Sequence, residues 1–169
     1  TRCRQTLAHI AEGRGWPEPR LDERLRENDF GEFEGRNWEE LKDDPVYREW
    51  IDSAGELAPP GGESAQDLRD RLALALDAIF DAAVEAGYRR VLVVTHGGVI
   101  RAMATIALGM APDKGLSIGV DNCSISRFDW VEYGEAQPKQ AWRTGYLNLS
   151  PRKPDGFANG AVLSPDERG

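Results

Sequence analysis

The residues best suited to chemistry lie in Val94-Thr95-His96-Gly97-Gly98, where an imidazole stands between a β-branched run and a helical pattern. In open α/β sheets, ligands bind beyond the carboxyl ends of strands. The free N–H groups of a following helix favour an anion there, and glycines let the backbone approach it without a Cβ in the way. The motif predicts a phosphate or carboxylate beside His96; the alternative is a histidine that only makes a structural hydrogen bond.

Two further side chains could act on such an anion. Arg2 stands at the start of a predicted helix, where a positive charge is unfavourable unless it faces an anion. Glu27 lies between the apolar residues Leu25 and Phe30, and partial desolvation of a carboxyl suits it to general acid work. A solvated surface position is the alternative for both residues, and spacing alone does not select Glu27 from the acidic residues around it.

The elements that must position these residues form a helix, strand, helix order. A short helix is predicted over 2–12, and a long one begins at the capping box Ser64-Ala65-Gln66-Asp67 and runs to Gly87. The uninterrupted apolar run over 91–95 predicts a strand buried on both faces, which is typical of a parallel sheet covered by helices. A helix over 99–108 follows it. This order is typical of an α/β fold.

The rest of the chain contains an insert, two strands and a tail. Two short helical pieces form a helical insert at about 38–60, broken by Pro45. Strands are predicted over 122–131 and 140–149, although the alternation slips between Ile125 and Phe128. Residues 150–169 are rich in Pro, Gly and charge and predict a mobile tail, which leaves 1–149 as one domain.

Composition excludes several classes of protein. The 169 residues carry 21 Lys+Arg against 29 Asp+Glu, a formal charge of −8, which disfavours general nucleic-acid binding. No apolar run approaches the length of a membrane span, and the start has no signal-peptide pattern. We therefore expect a cytoplasmic protein without a membrane partner. Two cysteines are too few for a disulfide framework or a thiolate metal site.

Five motifs, taken in order, resemble those of the histidine phosphatase superfamily, the phosphoglycerate-mutase-like clan. They are Arg2-x-x-Gln5-Thr6, Leu25-x-Glu27-x-Asp29-Phe30-Gly31-x-x-Glu34-Gly35, Gly62-Glu63-Ser64 with Arg71 downstream, Val93-Val94-Thr95-His96-Gly97-Gly98-x-Ile100-Arg101, and Asn122-x-Ser124. The stretch over 60–64 and the insert before it resemble the phosphatase branch, which includes α-ribazole and broad-specificity phosphatases, more than the glycolytic mutases. The resemblance implies a three-layer α/β/α fold with a mostly parallel sheet.

The resemblance also implies a metal-independent phosphatase, without a cofactor, that acts on a small phosphorylated metabolite through a phosphohistidine. The residues it assigns share one phosphate pocket: Arg2, Gly97 and Asn122 bind phosphate, His96 stabilises the transferred group, Glu27 protonates the leaving alcohol, and Glu63, Arg71 and Arg101 support the pocket or the fold. A mutase-type phosphotransferase and a non-catalytic phosphate-binding or interaction module are the alternatives. The sequence does not predict an oligomeric state.

The nucleophile of the family is a histidine in an Arg-His-Gly motif on the first strand, and these 169 residues contain no such motif. The only other histidine, His9, lies in the first predicted helix. We expect that truncation has removed the N-terminal strand, because Arg2, Glu27 and His96 are all retained, and that the chain as given is inactive. Specificity would lie in the insert, where aromatic residues such as Trp38, Tyr47 and Trp50 either line a pocket for an apolar leaving group or only pack together.

Overall fold

Helices and one two-stranded sheet make up the computed structural model, which describes residues 2–134 and 139–150. In chain order the elements are α1 (Arg2–Ala11), α2 (Trp38–Leu41), α3 (Pro45–Asp52), α4 (Ala65–Glu85), α5 (Gly97–Ala107), β1 (Ile125–Tyr133) and β2 (Lys139–Leu149). Short 3-10 helices lie at Glu23–Leu25, Gly31–Phe33 and Pro112–Ser117. The fold is therefore α/β, as predicted. The predicted tail lies outside the described residues from 151 onward.

The long helix α4 begins as its capping residues predict. The Ser64 hydroxyl accepts a hydrogen bond from the Asp67 backbone N–H (3.1 Å), and the Asp67 carboxylate accepts one from the Ser64 N–H (2.9 Å). These bonds satisfy N–H groups that the first turn of a helix leaves unpaired. Gly87, at φ +69, follows the end of the helix. The prediction of this helix is confirmed.

The core lies where α4 packs against α5. Leu68 and Leu72 of α4 meet Val99, Ala102 and Met103 of α5, and all five side chains are buried. The sheet covers this cluster through two partly buried aromatic residues, Phe128 and Trp142. Since α5 carries its buried residues at helical spacing, the packing holds its first turn, and the His96 motif before it, in one orientation.

The two predicted C-terminal strands are confirmed as an antiparallel pair. Trp130 of β1 lies opposite Trp142 of β2, with ring centroids 5.1 Å apart. The register shifts at two points between Ile125 and Phe128, the region where the sequence alternation slips. A bulge places two residues of one strand opposite one of its partner, and this breaks the period of two.

The predicted strand over 91–95 is wrong for the part of the chain that the structure describes. These residues belong to no strand or helix, and Val91 and Leu92 are 51% and 55% exposed. An apolar strand is buried only when neighbouring strands pair with its edges and helices cover its faces. Within residues 2–134 and 139–150 the one sheet is the antiparallel pair β1 and β2, so the expected mostly parallel sheet is not found there.

The insert consists of two short helices, as predicted. The Asp44 carboxylate caps α3 by accepting a hydrogen bond from the Val46 N–H (2.9 Å), and Pro45 occupies the first turn. The ring of Tyr47 packs edge-on against Phe33, at 5.1 Å between centroids, and lies 5.6 Å from Trp50. The insert is therefore held to the loop over 26–35 by aromatic contacts.

Among the helices that the structure describes, none has an apolar stretch long enough to cross a membrane.

Candidate functional site

The loop that carries Glu27 is held by one arginine of α4. The Arg71 guanidinium donates to both carboxylate oxygens of Glu63 (2.6 Å each). It also donates to the carbonyl oxygens of Arg24 (2.5 Å) and Glu27 (3.1 Å). The Arg71 and Glu63 side chains are only 22% and 17% exposed. Such a forked, charge-assisted arrangement fixes the backbone on both sides of residue 26.

Two glycines allow this loop to lie against the segment that precedes α4. The Glu32 N–H donates to the Pro60 carbonyl oxygen (2.9 Å), and the Glu63 N–H donates to that of Asp29 (2.9 Å). A Cβ on Gly31, which has φ +51, would lie 2.1 Å from the Pro60 oxygen, and a Cβ on Gly62 would lie 2.5 Å from the Asp29 oxygen. The close approach of the two segments therefore requires glycine at both positions.

The Glu27 carboxylate lies at the N-terminus of α5. Its Oε1 accepts hydrogen bonds from the backbone N–H groups of Gly98 (3.0 Å) and Asn28 (3.1 Å). A Cβ on Gly98 would come 2.3 Å from this oxygen, so the contact depends on the missing side chain. The second glycine of the motif thus serves the carboxylate, whereas the sequence suggested that both glycines serve a bound anion.

His96 is the residue before α5 and contacts α1. Its Nε2 lies 3.3 Å from the Sγ of Cys3, at hydrogen-bond distance. Burial raises the pKa of the Cys3 thiol and outweighs the opposing charge of Arg2. The protonated thiol is therefore able to donate to the imidazole. Cys3 is not among the site residues predicted from the sequence, although it stands next to Arg2 on the first predicted helix.

Arg2, Arg101 and Asn122 are further site residues that the sequence predicts. Arg2 is exposed in the first turn of α1, next to Cys3. Arg101 lies in α5 and donates through Nε to the Ile118 carbonyl oxygen (3.0 Å). Asn122 is exposed before β1, and no hydrogen bond joins it to His96 or Glu27 in the described part of the chain. The structure thus brings Glu27, His96 and the α5 N-terminus together and leaves Asn122 outside their hydrogen bonds.

A cavity of about 200 Å³ lies beside Gly98, whose N–H binds the Glu27 carboxylate, but neither Glu27 nor His96 is among its described lining residues. It lies between α5, the end of α3 and the 3-10 helix Pro112–Ser117, and residues from all three line it. Asn28 also lines it, and the buried Oδ1 of this side chain has no hydrogen-bond partner among the described residues. The lining is mostly apolar, and sequence reasoning did not find its residues Ile51 and Leu116, because neither belongs to a motif.

Comparison with known families and curated proteins gives one consistent result. Residues 1–142 match the model of the histidine phosphatase superfamily (branch 1). Curated proteins from Salmonella newport and Salmonella agona, each named "Probable phosphoglycerate mutase GpmB", are 32% identical to the chain over 133 residues. The match covers 78% of this chain and 60% of each relative. The chain therefore spans about 60% of the length of the curated relatives it matches.

Solved structures show the same fold. A protein titled "Mycobacterial hydrolase 1" has a TM-score of 0.74 at 25% identity, covering 89% of this chain and 73% of its own. The mycobacterial glucosyl-3-phosphoglycerate phosphatase in complex with inorganic phosphate has a TM-score of 0.71 at 26% identity, covering 88% and 73%. The α-ribazole phosphatase of Shigella flexneri, with 0.66 at 21% identity over 90% and 71%, shares the fold alone.

Proposed function

Because the chain belongs to branch 1 of the histidine phosphatase superfamily, we propose that it is the greater part of a phosphomonoester phosphatase that acts on a small phosphorylated metabolite. The observation that carries this proposal is the placement of Glu27 and His96 at the N-terminus of α5, with Glu27 Oε1 on the Gly98 N–H at 3.0 Å. A proton donor and an imidazole then meet at a helix end that favours phosphate. The similar mycobacterial phosphatase, whose structure holds inorganic phosphate, supports the same reaction class.

In the proposed reaction a phosphate ester binds with its anionic oxygens at the start of α5. The Gly97 N–H and the Arg2 guanidinium hold those oxygens, and His96 stabilises the charge of the group in transfer. The bond between phosphorus and the ester oxygen breaks as a histidine nitrogen bonds to phosphorus, and Glu27 gives a proton to the leaving alcohol. Glu27 then takes a proton from water, whose oxygen bonds to phosphorus as the bond between phosphorus and the histidine nitrogen breaks, and inorganic phosphate is released.

The attacking histidine is proposed to come from an Arg-His-Gly segment beyond the described residues. His96 is assigned to the phosphate, and His9 is exposed on α1, two turns from Cys3. The chain spans only 60% of its curated relatives. The apolar residues Val91, Leu92 and Val93, which precede His96, are also exposed, and a neighbouring strand would cover them. These observations support a nucleophile carried by a strand beside residues 91–95.

A phosphotransferase of the mutase type is the second candidate, because the curated relatives at 32% identity carry that name. The two activities share the phosphohistidine and differ in its acceptor. A phosphatase discharges the group to water, whereas a mutase discharges it to a hydroxyl of a second molecule. Trapping an acid-labile phosphohistidine and then measuring release of inorganic phosphate separates the two, and binding of phosphate without any trapped intermediate would favour a non-catalytic module.

The test of the proposal is hydrolysis of p-nitrophenyl phosphate by the full-length protein in the presence of EDTA. We expect activity that His96→Ala abolishes and that Glu27→Gln lowers by about a hundredfold or more, the usual contribution of a general acid. His9→Ala and Glu32→Gln are the matched controls, since both side chains are exposed, and they should retain full activity. Full activity in the His96→Ala protein would contradict the proposal.

A further inference from the structure

We propose that the cavity beside the first turn of α5 binds a small monocarboxylic acid with one apolar ring, and that the Arg101 guanidinium holds its carboxylate. Among the described residues, none of those assigned to phosphate or to proton transfer lines this cavity, namely Arg2, Glu27, His96 and Gly97. The site is therefore separate from the proposed phosphate site. Binding of such an acid goes beyond the proposed phosphatase function and does not depend on it.

The charges at the cavity favour an anion. Its charged lining residues are Glu63 and Arg101. Arg71 donates to both carboxylate oxygens of Glu63 (2.6 Å each), so the charge of Glu63 is already paired. The charge that remains is the Arg101 guanidinium, which attracts an anion and repels a cation.

The Arg101 side chain has donors left for a ligand. Its Nε donates to the Ile118 carbonyl oxygen (3.0 Å), and no hydrogen bond joins its two terminal nitrogens to another of the residues 2–134 and 139–150. A guanidinium presents paired N–H groups that match the two oxygens of a carboxylate. A carboxylate brings one negative charge to this one cation, whereas a phosphate ester brings up to two. The ligand is therefore expected to be a carboxylate.

The rest of the lining favours apolar surface. Its larger apolar residues come from α3, α4, the 3-10 helix Pro112–Ser117 and the loop before α2, and they are Phe30, Trp50, Ile51, Leu68 and Leu116. Two polar side chains that also line the cavity offer little to a ligand. The Thr105 hydroxyl donates to the Ala102 carbonyl oxygen (2.7 Å), and the Asn28 Oδ1 is buried. Apart from Arg101, a ligand therefore gains mainly by covering apolar side chains.

The size of the cavity and its aromatic residues point to a single ring. The volume is about 200 Å³, whereas pockets for drug-sized ligands begin at about 300 Å³. Two of the lining residues, Phe30 and Trp50, are aromatic, and aromatic rings pack well edge-on or offset against another ring. Leu116 is 68% exposed and Ile51 is 42% exposed, so an apolar ring would cover surface that faces water. Benzoate has the size, the ring and the charge that this cavity suits.

The experiment is an NMR titration of the full-length protein with benzoate, benzamide and benzylamine, which are similar in size and are anionic, neutral and cationic. We expect benzoate to shift the amide signals of Gly55 and Gly98, which line the cavity, and not that of Gly145 in β2. Benzamide should bind about tenfold more weakly or worse, the usual effect of losing a charged hydrogen bond, and benzylamine more weakly still. Inorganic phosphate at the same ionic strength should not displace benzoate.

Substitutions at the cation and at the rim test the role of charge. Arg101→Met should weaken benzoate binding by about tenfold or more, for the same reason. Because Arg101 also bonds to Ile118, two changes at the exposed Leu116 leave that hydrogen bond in place. Leu116→Asp should weaken benzoate binding by about threefold, whereas Leu116→Lys should not weaken it. Leu21→Asp is the matched control, since Leu21 is also 68% exposed but does not line the cavity, and it should bind benzoate as the wild type does.

Equal affinities for benzoate and benzamide would overturn the proposed site, as would Leu116→Asp and Leu116→Lys proteins that bind benzoate equally well. Unshifted Gly55 and Gly98 signals at every benzoate concentration would overturn it too. Displacement of benzoate by inorganic phosphate would show that benzoate occupies the phosphate site instead. A wild-type protein that binds benzoate in the cavity but hydrolyses no phosphate ester would overturn the proposed function alone.

Discussion

At the scale of single residues, the site depends on contacts between groups that are far apart in the sequence. Glu27 and Gly98 are separated by 71 positions, and Cys3 and His96 by 93. In both pairs a loop or helix from the first part of the chain reaches the start of α5. The hydrogen bond between Glu27 and residue 98 needs a glycine at position 98, because the Glu27 carboxylate occupies the space that a side chain there would take.

Replacing Gly98 with alanine tests that dependence. The new Cβ would lie 2.3 Å from Glu27 Oε1, so the end of the flexible Glu27 side chain must move away from the N–H. We expect kcat for p-nitrophenyl phosphate to fall by about a hundredfold, the usual cost of a misplacement of this size. The free energy of unfolding should change by less than about 1 kcal/mol, since alanine is the better helix former.

Steady-state kinetics and urea unfolding measure the two quantities. Gly119→Ala is the control, because the nearest atom to its Cβ, at the end of the Asn148 side chain, would be 3.9 Å away, and it should leave kcat unchanged. A Gly98→Ala protein with full activity would show that the position of Glu27 does not depend on this contact.

At the scale of elements, the bond network of Arg71 joins α4 to the loop that carries Glu27. Arg71→Met removes hydrogen bonds to Glu63 and to two backbone carbonyl oxygens. We expect the free energy of unfolding to fall by about 2 kcal/mol in urea denaturation, a value discounted for the partial exposure of the pair.

Arg48→Met is the comparison for this prediction. Arg48 is 59% exposed and lies 3.9 Å from Asp43, itself 86% exposed, so its removal should change stability by no more than about 0.5 kcal/mol. Equal losses of unfolding free energy in the Arg71→Met and Arg48→Met proteins would mean that the loop carrying Glu27 is held in place mainly by the glycine contacts at residues 31 and 62.

At the scale of the whole molecule, the contact between α4 and α5 contains the buried apolar cluster of the described residues. Leu72 is 1% exposed there, whereas Leu92, which lies outside any helix or strand, is 55% exposed. Leu72→Ala should cost about 2 to 5 kcal/mol in the free energy of unfolding. Leu92→Ala should cost less than about 1 kcal/mol, as for other exposed positions.

Thermal and urea unfolding of the two alanine variants check this difference. From sequence alone both leucines would be assigned to a core, because each lies in a strongly apolar pattern. A loss of several kcal/mol in the Leu92→Ala variant of the 169-residue chain, which has no strand paired with residues 91–95 among its described residues, would conflict with the structure.

The sequence by itself determined the features that depend on neighbours along the chain. The capping box at Ser64, the helical periodicity of α4 and α5, and the paired strands after residue 122 follow from local hydrogen bonding and side-chain spacing. The family membership follows from the order of the motifs and agrees with the family model over residues 1–142.

Tertiary structure alone decided what each motif touches. The apolar sequence of residues 91–95 does not show whether other strands pair with it, because the pairing partners come from elsewhere in the chain. For the same reason the spacing of the acidic residues did not show which carboxylate reaches the start of α5, whereas the structure shows that Glu27 accepts a hydrogen bond from the Gly98 N–H. The cavity that Gly98 lines combines residues from α3, α4, α5 and the 3-10 helix Pro112–Ser117, and only their packing creates it.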